Sequence, residues 1–584
     1  MSAQNSDILT HHALLVLWGQ FGQAIGLVDG LMQVPLAQKT YTYCPQTKVL
    51  EFLLAVLAGL PYLKDLSLAA HPIDQDAAVA QAWGQPGWAD HSGVSRTLQA
   101  LTPSDVQQIA AALAHVSQPF VDQEVMLAMR HDGRLVFDAD LTGRPVSPHA
   151  TSYPGAAFGH MDNAVEFGYQ AAIIGLHSPT YGRLCLSATQ HPGNTRSHTQ
   201  LPDLVIAAEA TTGARPWRRT DLLRQRLSTV ADLLESKRTF VCQQQARVER
   251  TQAAVRTAQQ DLQNLQAALS VLETSAAATP GMTSRCLQRT RQRLTHAAAH
   301  LSHCEKVVAV AQRGLQHHEH ALQPVQTLHE TLSRRLTQFE QDNASVVSPI
   351  RAVMRVDAGF GTGENIALLI EMGYEVYTKP CTAQMTAPLV RALPADAVWV
   401  QVGSNAEMTV CPPAPAGDCP YDLDVAVERF RLGDSGPCYH TLLHYGEDAV
   451  RDNLGAWFAG YNARQTIEAG IKEGKQVFQI RHLKVRTVPA LQLQECFAAF
   501  AANFVRWAAH WLQQAEEQTE LAAANIKTQV QVLAHVSALI ALGADGYVAH
   551  FTSQSVLAGK TLAAPLMAIQ WPLPFYKTRI FAPV

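Results

Sequence analysis

The segment YNARQTIEAGIKEGK carries four side chains whose types and spacing suit phosphodiester chemistry: Tyr461, Arg464, Glu468 and Lys475. On one helix turning about 100° per residue, the four fall within roughly 60° of one another. A lone carboxylate beside two cations suits a metal-bound phosphodiester, with Glu468 on the metal and Arg464 and Lys475 on phosphate oxygens. The alternative interpretation is a solvated helix face held by i,i+4 ion pairs, such as Glu468 with Lys472.

The order Tyr, two residues, Arg, three residues, Glu, six residues, Lys resembles the YREK signature of a large group of bacterial DDE transposases, the enzymes of insertion sequences. The resemblance implies an RNase H-like catalytic core in which two aspartates and one glutamate bind Mg²⁺ or Mn²⁺. It also implies that Tyr461, Arg464 and Lys475 contact DNA phosphates near the cut. The two aspartates are expected upstream, each at the end of a buried strand.

The first aspartate is expected in GRLVFDADLTG, a strand-like segment that ends in Asp138 and Asp140. The resembled group tends to have Asp, any residue, then Ser or Thr, which matches Asp140-Leu141-Thr142. Asp138 lies two residues earlier and therefore points to the same face of a regular strand. It is expected either to support the ligand or to be the true ligand, and a turn-capping role is the structural alternative.

The second aspartate is expected in IRAVMRVDAGFGTGENIALL, which is typical of a strand, an acidic turn and a helix. Asp357 ends the strand, and Asp357-Ala358-Gly359-Phe360 matches the Asp, small residue, Gly, aromatic order common in the resembled group. The same glycines also resemble the first motif of S-adenosylmethionine-dependent methyltransferases. That fold should then supply an acid after the next strand, where EVYTKP offers only Thr378 and Lys379.

The elements that must position these residues form an α/β multidomain chain, an RNase H-like mixed sheet with helices that is interrupted twice. An all-helical N-terminal domain precedes the sheet, and Ser92 to Leu98 could be the recognition helix of a DNA-binding module. The predicted segments are 1–125, helical and possibly binding DNA ends; 130–216, the first segment of the catalytic core; 217–345, a coiled-coil insertion; 346–390, the second core segment; 391–452, a β-rich insertion; 453–520, the third core segment; and 521–584, a C-terminal region without an assigned role.

The coiled-coil insertion is predicted from apolar residues at every seventh position: Leu227, Leu234, Val241, Val248, Val255, Leu262 and Leu269, then Leu287, Leu294, Leu301, Val308, Leu315 and Leu322. The two repeats flank the turn SAAATPGMTS, which predicts an antiparallel hairpin. A coiled coil of this length is not expected in the resembled group, so its role is not implied by the resemblance.

The residues after Lys475, VFQIRHLKVRT, predict a basic strand beside the catalytic helix. Arg481, Lys484 and Arg486 are expected to contact phosphates there, together with Lys472. The following apolar helix is predicted to be core.

Composition sets the remaining limits. The formal charge is −4, with 45 Lys and Arg against 49 Asp and Glu, so DNA binding would need a local basic surface. The ten cysteines form no CxxC pair, which argues against a disulfide framework or a zinc site, although Cys411, Cys419, Cys438 and His440 could gather a metal. No signal-like start or long apolar run is evident, which predicts a cytoplasmic, nucleoid-associated protein without a membrane contact.

Together these observations predict a metal-dependent DNA transposase with Asp140, Asp357 and Glu468 as ligands. The expected partners are double-stranded DNA, as transposon ends and target, and a second copy of the chain in the DNA complex. Two alternatives stay open: a catalytically silent or domesticated DNA-binding or scaffolding protein that uses the coiled coil, and the methyltransferase.

Overall fold

The computed structural model describes residues 8–38, 42–149, 153–161, 164–278, 284–431, 436–480, 482, 485–514, 524–543, 546–552 and 561–565. It divides into two compact units. One consists of Met1–Trp217 and Ser345–Val584, and the other is Arg218–Ala344. The chain is therefore a mixed α/β protein with a long helical insertion.

The strands, in chain order, are β1 Ile8–Thr10, β2 Arg134–Pro145, β3 Ala157–Met161, β4 Ala164–Ser178, β5 Gly182–Pro192, β6 Arg351–Val356, β7 Glu375–Thr378, β8 Val400–Gln401, β9 Ala406–Ala414, β10 Leu423–Arg431, β11 Pro437–Tyr445, β12 Ala538–Gly543, β13 Gly546–Phe551 and β14 Thr561–Pro565. The helices are α1 Ala13–Ala24, α2 Leu27–Met32, α3 Pro45–Leu57, α4 Asp65–Leu68, α5 Ala77–Ala82, α6 His91–Gln99, α7 Pro103–His131, α8 Ser197–Thr212, α9 Thr220–Ala278, α10 Ser284–Ser345, α11 Gly363–Glu371, α12 Thr386–Ala392, α13 Leu454–Asn462, α14 Gln465–Gln476, α15 Val488–Gln514 and α16 Ile526–Gln531. None of the helices in the described part of the chain is long and apolar enough to cross a membrane.

The central sheet has the order β3-β4-β2-β6-β7-β11-β10-β9-β8, and β5 also pairs with β4. Strands β2, β4 and β5 form an antiparallel meander, whereas β6 is parallel to β2 and β7 is parallel to β6. The near-continuous apolar sequence of β6 fits its burial, since a strand inside a parallel pair is covered on both faces. Strand β2 therefore lies inside the sheet, between β4 and β6.

The β-rich insertion extends this sheet. Strand β11 pairs antiparallel with β7, and β10, β9 and β8 follow in a meander. Helix α13 packs on this region of the sheet through Trp457 and Tyr461, which belong to one buried cluster with Val353, Tyr377, Met408, Ala426, Leu442, Val450 and Leu454. The core thus continues from the first strands into the insertion.

The N-terminal helices pack against α15. The Phe504 ring on α15 lies 5.2 Å from Phe21 and 6.4 Å from Trp18, and Trp507 stacks on Phe120 at 4.1 Å. The apolar sequence of α15 is thereby confirmed as core. Buried aromatic residues of this kind are each worth about 3–5 kcal/mol on truncation to alanine.

A second, small sheet joins the two ends of the described chain. Strand β1 pairs with β12, which continues to β13 and β14. The predicted recognition segment lies in α6, where Gly93, Val94, Thr97 and Leu98 are buried and Arg96 is exposed.

The unit Arg218–Ala344 contains the two long helices α9 and α10, of 59 and 62 residues, which at 1.5 Å per residue are each about 90 Å long. Contacts between them pair Arg224 with Glu340, Phe240 with His318, and Glu273 with Arg291. Partner numbers fall along one helix as they rise along the other, so the helices are antiparallel. The turn, at 279–283, lies outside the described residues.

The basic strand predicted over 477–487 is wrong for its described residues. Helix α14 ends at Gln476, and Val477, Phe478 and Ile480 are buried in a turn rather than a strand. The apolar side chains of this segment fill the core below α14, which is incompatible with the two-faced alternation of a strand.

Candidate active site

Register between two parallel strands brings Asp140 and Asp357 together. Asp138 on β2 is opposite Arg355 on β6, and Ala139 is opposite Val356. Asp140 is the next residue of β2, and Asp357 directly follows β6. Because side chains alternate along a strand, Asp140 and Asp357 lie on the same face as the Asp138–Arg355 pair.

Glu468 approaches Asp140 and Asp357 from helix α14. The helix is fixed by Arg183 on β5, whose guanidinium binds the Thr466 carbonyl at 2.7 Å and the Glu473 carboxylate at 2.5 Å. Arg506 on α15 binds the same Glu473 carboxylate at 2.7 Å. Gly470 permits this approach, since a Cβ there would lie 2.7 Å from Arg183 Nε.

The three predicted metal ligands line one open cleft with a volume of about 550 Å³. Its other lining residues are Leu141, Thr142, Gly143, His160, Gln170, Ser197, Arg464, Ile471, Lys472, Lys475 and Gln476. The cleft thus combines acids from three distant regions of the sequence with three cations. His160, Gln170 and Ser197 were not among the predicted site residues, and no motif in their segments marks them.

The Tyr461–Lys475 segment is not one regular helix. Helix α13 ends at Asn462 and α14 begins at Gln465, with a tight turn in which the Arg464 N–H donates to the Tyr461 carbonyl. Tyr461 therefore points into the core cluster and is 6% exposed. Burial raises the pKa of Tyr461 to about 12, and its ring lies 6.0 Å from the Arg464 guanidinium.

Arg464 contacts two of the three carboxylates. Its guanidinium lies 2.7 Å from Glu468 Oε1 and 3.5 Å from Asp140 Oδ2. Its side chain is only 13% exposed, whereas that of Glu468 is 42% exposed. The i,i+4 pair of this helix face is therefore Arg464 with Glu468 rather than Glu468 with Lys472.

The aspartates are held in an environment that disfavours their charge. Burial, followed by the nearby Asp357 carboxylate, raises the pKa of Asp140 to about 7, although Arg464 opposes the rise. Burial also raises the pKa of Asp357, against Arg464 and the backbone N–H groups of Phe360 and Gly359. Asp140 and Asp357 are close to each other and largely buried. A cation bound between them would therefore stabilise their charged forms.

The carboxylate oxygens of Asp140, Asp357 and Glu468 are suitable ligands for a divalent cation, but they are not close enough together to bind one in this arrangement. Among the described residues, no group of three or more His, Cys, Asp or Glu side chains lies close enough together to hold a metal ion. The available ligands are carboxylate oxygens, which suit Mg²⁺ or Mn²⁺. Asp357 Oδ1 is buried, and the described structure gives it no hydrogen-bond partner. For one cation to be bound by all three acids, Glu468 must break its ion pair with Arg464 and turn towards Asp140 and Asp357.

Both carboxylate oxygens of Asp138 accept hydrogen bonds from protein groups, which disfavours it as a metal ligand and catalytic residue. Arg355 donates from Nε to Asp138 Oδ1 at 2.6 Å and from Nη2 to Oδ2 at 2.7 Å, and Thr466 donates to Oδ2 at 3.2 Å. Both partners of the ion pair are buried. Asp138 thus ties β2 to β6 and α14.

The other predicted DNA contacts divide into two groups. Lys472 is exposed and Lys475 half-buried, and both line the cleft. Arg486 lies away from this lining, with its guanidinium 5.9 Å from the Tyr153 ring centroid. Arg481 and Lys484 lie outside the described residues.

The glycine turn after β6 is filled by protein, which argues against the methyltransferase interpretation. A Cβ on Gly361 would collide with the Lys379 carbonyl, and one on Gly363 would collide with the backbone of 416–419. A Cβ on Gly359 would lie 2.8 Å from Ser197 Oγ. These glycines allow close backbone packing around Asp357, which accounts for them without a bound cofactor.

In comparisons with known proteins, no family model matches the chain and no curated sequence matches it significantly. The assignment of a function therefore depends on the residues of the cleft and on the sequence signature.

Proposed function

We propose that the chain is a DDE-type transposase of the YREK-signature group, with an RNase H-like core that cuts and joins DNA strands with the help of Mg²⁺ or Mn²⁺. The observation that carries the proposal is the cleft itself. Asp140, Asp357 and Glu468 line one cavity with Arg464, Lys472 and Lys475. The resemblance implies metal binding for the three acids and phosphate binding for Arg464 and Lys475.

The strand arrangement supports the RNase H-like core of the proposal. The first carboxylate is on β2, from which an antiparallel meander starts and on which the parallel strands β6 and β7 build. The second follows β6, and the third is on a helix that packs against β2. This arrangement brings one acid from each of the three predicted core segments to the same cleft.

In the proposed reaction, a water oxygen bonds to the phosphorus at the end of the element, and the bond from phosphorus to the 3′ oxygen breaks. The released 3′-hydroxyl then attacks a phosphodiester of target DNA, where a new P–O bond forms and the target's own 3′ oxygen leaves. When bound by Asp140, Asp357 and Glu468, divalent cations would stabilise the attacking and leaving oxygens.

The remaining residues of the cleft bind and orient the DNA. Arg464 is half-buried and lines the cleft, and its planar guanidinium is suited to bind a phosphate through two hydrogen bonds. Lys472 and Lys475 offer point charges one and two turns beyond Glu468 along α14. Phosphate binding by Arg464 would weaken its pairing with Glu468 and leave that carboxylate for the cation.

The test is cleavage of a labelled duplex that carries the DNA flanking the coding sequence, in the presence of Mg²⁺. Wild type should release a 3′-hydroxyl at the element end, and Glu468→Gln should not. Asp452→Asn removes an exposed carboxylate elsewhere and should cleave like wild type.

One observation favours a second candidate, a catalytically silent DNA-binding protein. The pairing of Arg464 with both Asp140 and Glu468 is also what a purely structural ion cluster would show. DNA-end binding by wild type without cleavage, in Mg²⁺ and in Mn²⁺, would support this candidate over the transposase.

A further inference from the structure

The helical unit Arg218–Ala344 has a charge opposite to that of the rest of the chain. It contains 17 Lys and Arg against 11 Asp and Glu, which leaves 28 and 38 in the remaining sequence. The unit is therefore +6 and the remainder −10, although the whole chain has a formal charge of −4. A polyanion should be attracted to this unit and, outside local cationic sites, repelled by the remainder.

The excess of positive charge is clearest on α10 just after the turn, in RCLQRTRQR. Arg285, Arg289 and Arg293 are exposed, and none of the three has an ion-pair partner among the described residues. Arg291, by contrast, pairs with Glu273 on α9 at 2.8 Å. The three unpaired arginines are four residues apart, so they follow one side of the helix at intervals of about 6 Å.

This placement works against helix stability. Like charges at i,i+4 destabilise a helix by about 0.2–0.5 kcal/mol per pair. Arg285 also lies in the first turn of α10, which has no acidic residue, and a cation is unfavourable at that end of the helix dipole. An anionic ligand bound along the stripe would relieve both of these unfavourable effects.

We infer that the Arg285–Arg289–Arg293 stripe is a binding surface for the phosphate backbone of duplex DNA. The inference rests on the proposed function, because that function supplies DNA as the partner of the chain. Each strand of a duplex carries one phosphate per 3.4 Å of helix axis, so guanidinium groups about 6 Å apart can each meet a separate phosphate. The contacts are independent of sequence, since the stripe has only cations to offer.

The experiment measures binding of the full chain to a 40-base-pair duplex of arbitrary sequence, by fluorescence anisotropy over a series of salt concentrations. The test variant is Arg285→Gln with Arg289→Gln and Arg293→Gln. Gln keeps a helix propensity close to that of Arg, and unchanged thermal unfolding would verify the fold. The matched control is Arg130→Gln with Arg391→Gln and Lys527→Gln, which removes the same charge from exposed positions elsewhere.

The loss of three phosphate contacts should lower the slope of log affinity against log salt by about 2.7, or roughly 0.9 per contact, with a tenfold or larger loss of affinity at low salt. The control should keep the wild-type slope. Equal slopes for the test variant and the wild type would overturn the inference, and so would an equal loss in the control, which would indicate only a general charge effect.

Failure of this inference can be told apart from failure of the proposed function. If wild type cleaves element ends but the arginine variant binds with an unchanged slope, the stripe is not a DNA surface and the transposase stands. If wild type never cleaves but the slope falls as expected, the stripe binds DNA and the transposase proposal fails.

Discussion

Two acid–arginine pairs lie next to each other on β2, and they differ in how completely each acid is satisfied. Asp138 receives two hydrogen bonds from Arg355 and one from Thr466. Asp140, two residues later on the same face, accepts one hydrogen bond from the Leu141 N–H, and its nearest guanidinium nitrogen, Nη1 of Arg464, lies at 3.5 Å while Nη2 of the same arginine binds Glu468. The first pair is complete without any ligand.

The difference predicts which of the two aspartates is available to bind a ligand. The pKa of Asp140 is raised to about 7 by burial and by Asp357, so the site disfavours the charged form of this carboxyl group in the absence of a cation. Acids in a cleft whose pKa is shifted by burial and by a like charge are typical of functional sites. A buried ion pair with all its hydrogen bonds made is typical of a structural role. The predictions below test this contrast.

The largest expected effect is the loss of cleavage in Asp357→Asn and Asp140→Asn. Removal of a metal ligand withdraws several kcal/mol of transition-state stabilisation, or roughly a thousandfold or more in rate. The free energy of unfolding should stay the same or rise, because each substitution relieves a buried like-charge contact. Cleavage rate and urea denaturation on the same preparations check both expectations. A loss of stability in Asp140→Asn would show that Asp140, like Asp138, belongs to a stabilising ion pair.

The opposite pattern is expected at the saturated pair. Asp138→Asn leaves the Arg355 charge buried and unpaired, which should lower the free energy of unfolding by about 3–5 kcal/mol. Urea denaturation measures the loss. The double substitution Asp138→Leu with Arg355→Met removes both charges and should recover most of the stability. If stability is not recovered, the pair stabilises the fold by more than the neutralisation of one charge by the other.

The pH dependence of stability should separate the two aspartates further. The folded pKa of Asp140 is raised above its unfolded value near 3.9, so the folded state binds more protons between about pH 4 and pH 7. The contribution of Asp140 to stability is therefore present below pH 4 and falls as pH rises to about 7. Denaturation of wild type and Asp140→Asn across this range should give curves that converge at low pH and diverge towards pH 7. Parallel curves would contradict the raised pKa.

The smallest effect is expected for Lys472→Gln. Lys472 is exposed at the rim of the cleft, so it should contribute one screened phosphate contact and little stability. Affinity for an element-end duplex should fall only about twofold to fivefold at moderate salt, and the salt slope by about 0.9. Arg464→Gln should lose clearly more affinity in the same assay, because that guanidinium is only 13% exposed in the cleft and its contact is less screened by salt. Equal losses would mean that Arg464 does not contact the phosphate.

The sequence could predict the features of this molecule that depend on local pattern. The strands around Asp140 and Asp357, the heptad helices α9 and α10 and the buried α15 follow from periodicity and from turn residues. The convergence of Asp140, Asp357 and Glu468 on one cleft was expected from the spacing of the signature, and the structure brings the three together there.

Other features depend on contacts between distant segments and could not be predicted. The choice between Asp138 and Asp140 needed Arg355, which only strand register places opposite Asp138. The break of the signature helix at Arg464 reflects the burial of Tyr461 in a core built partly from the β-rich insertion. The pairing of β1 with β12 joins residues more than 500 positions apart, for which neither segment carries a local signal.

The most direct test of the central claim is a titration of the full chain with Mn²⁺, followed by electron paramagnetic resonance of the free ion. The account predicts that wild type binds Mn²⁺ more tightly when an element-end duplex is present, that Asp357→Asn abolishes this binding, and that Asp452→Asn retains it. Equal Mn²⁺ binding by wild type and Asp357→Asn, with DNA present, would contradict the claim that these acids form a metal site.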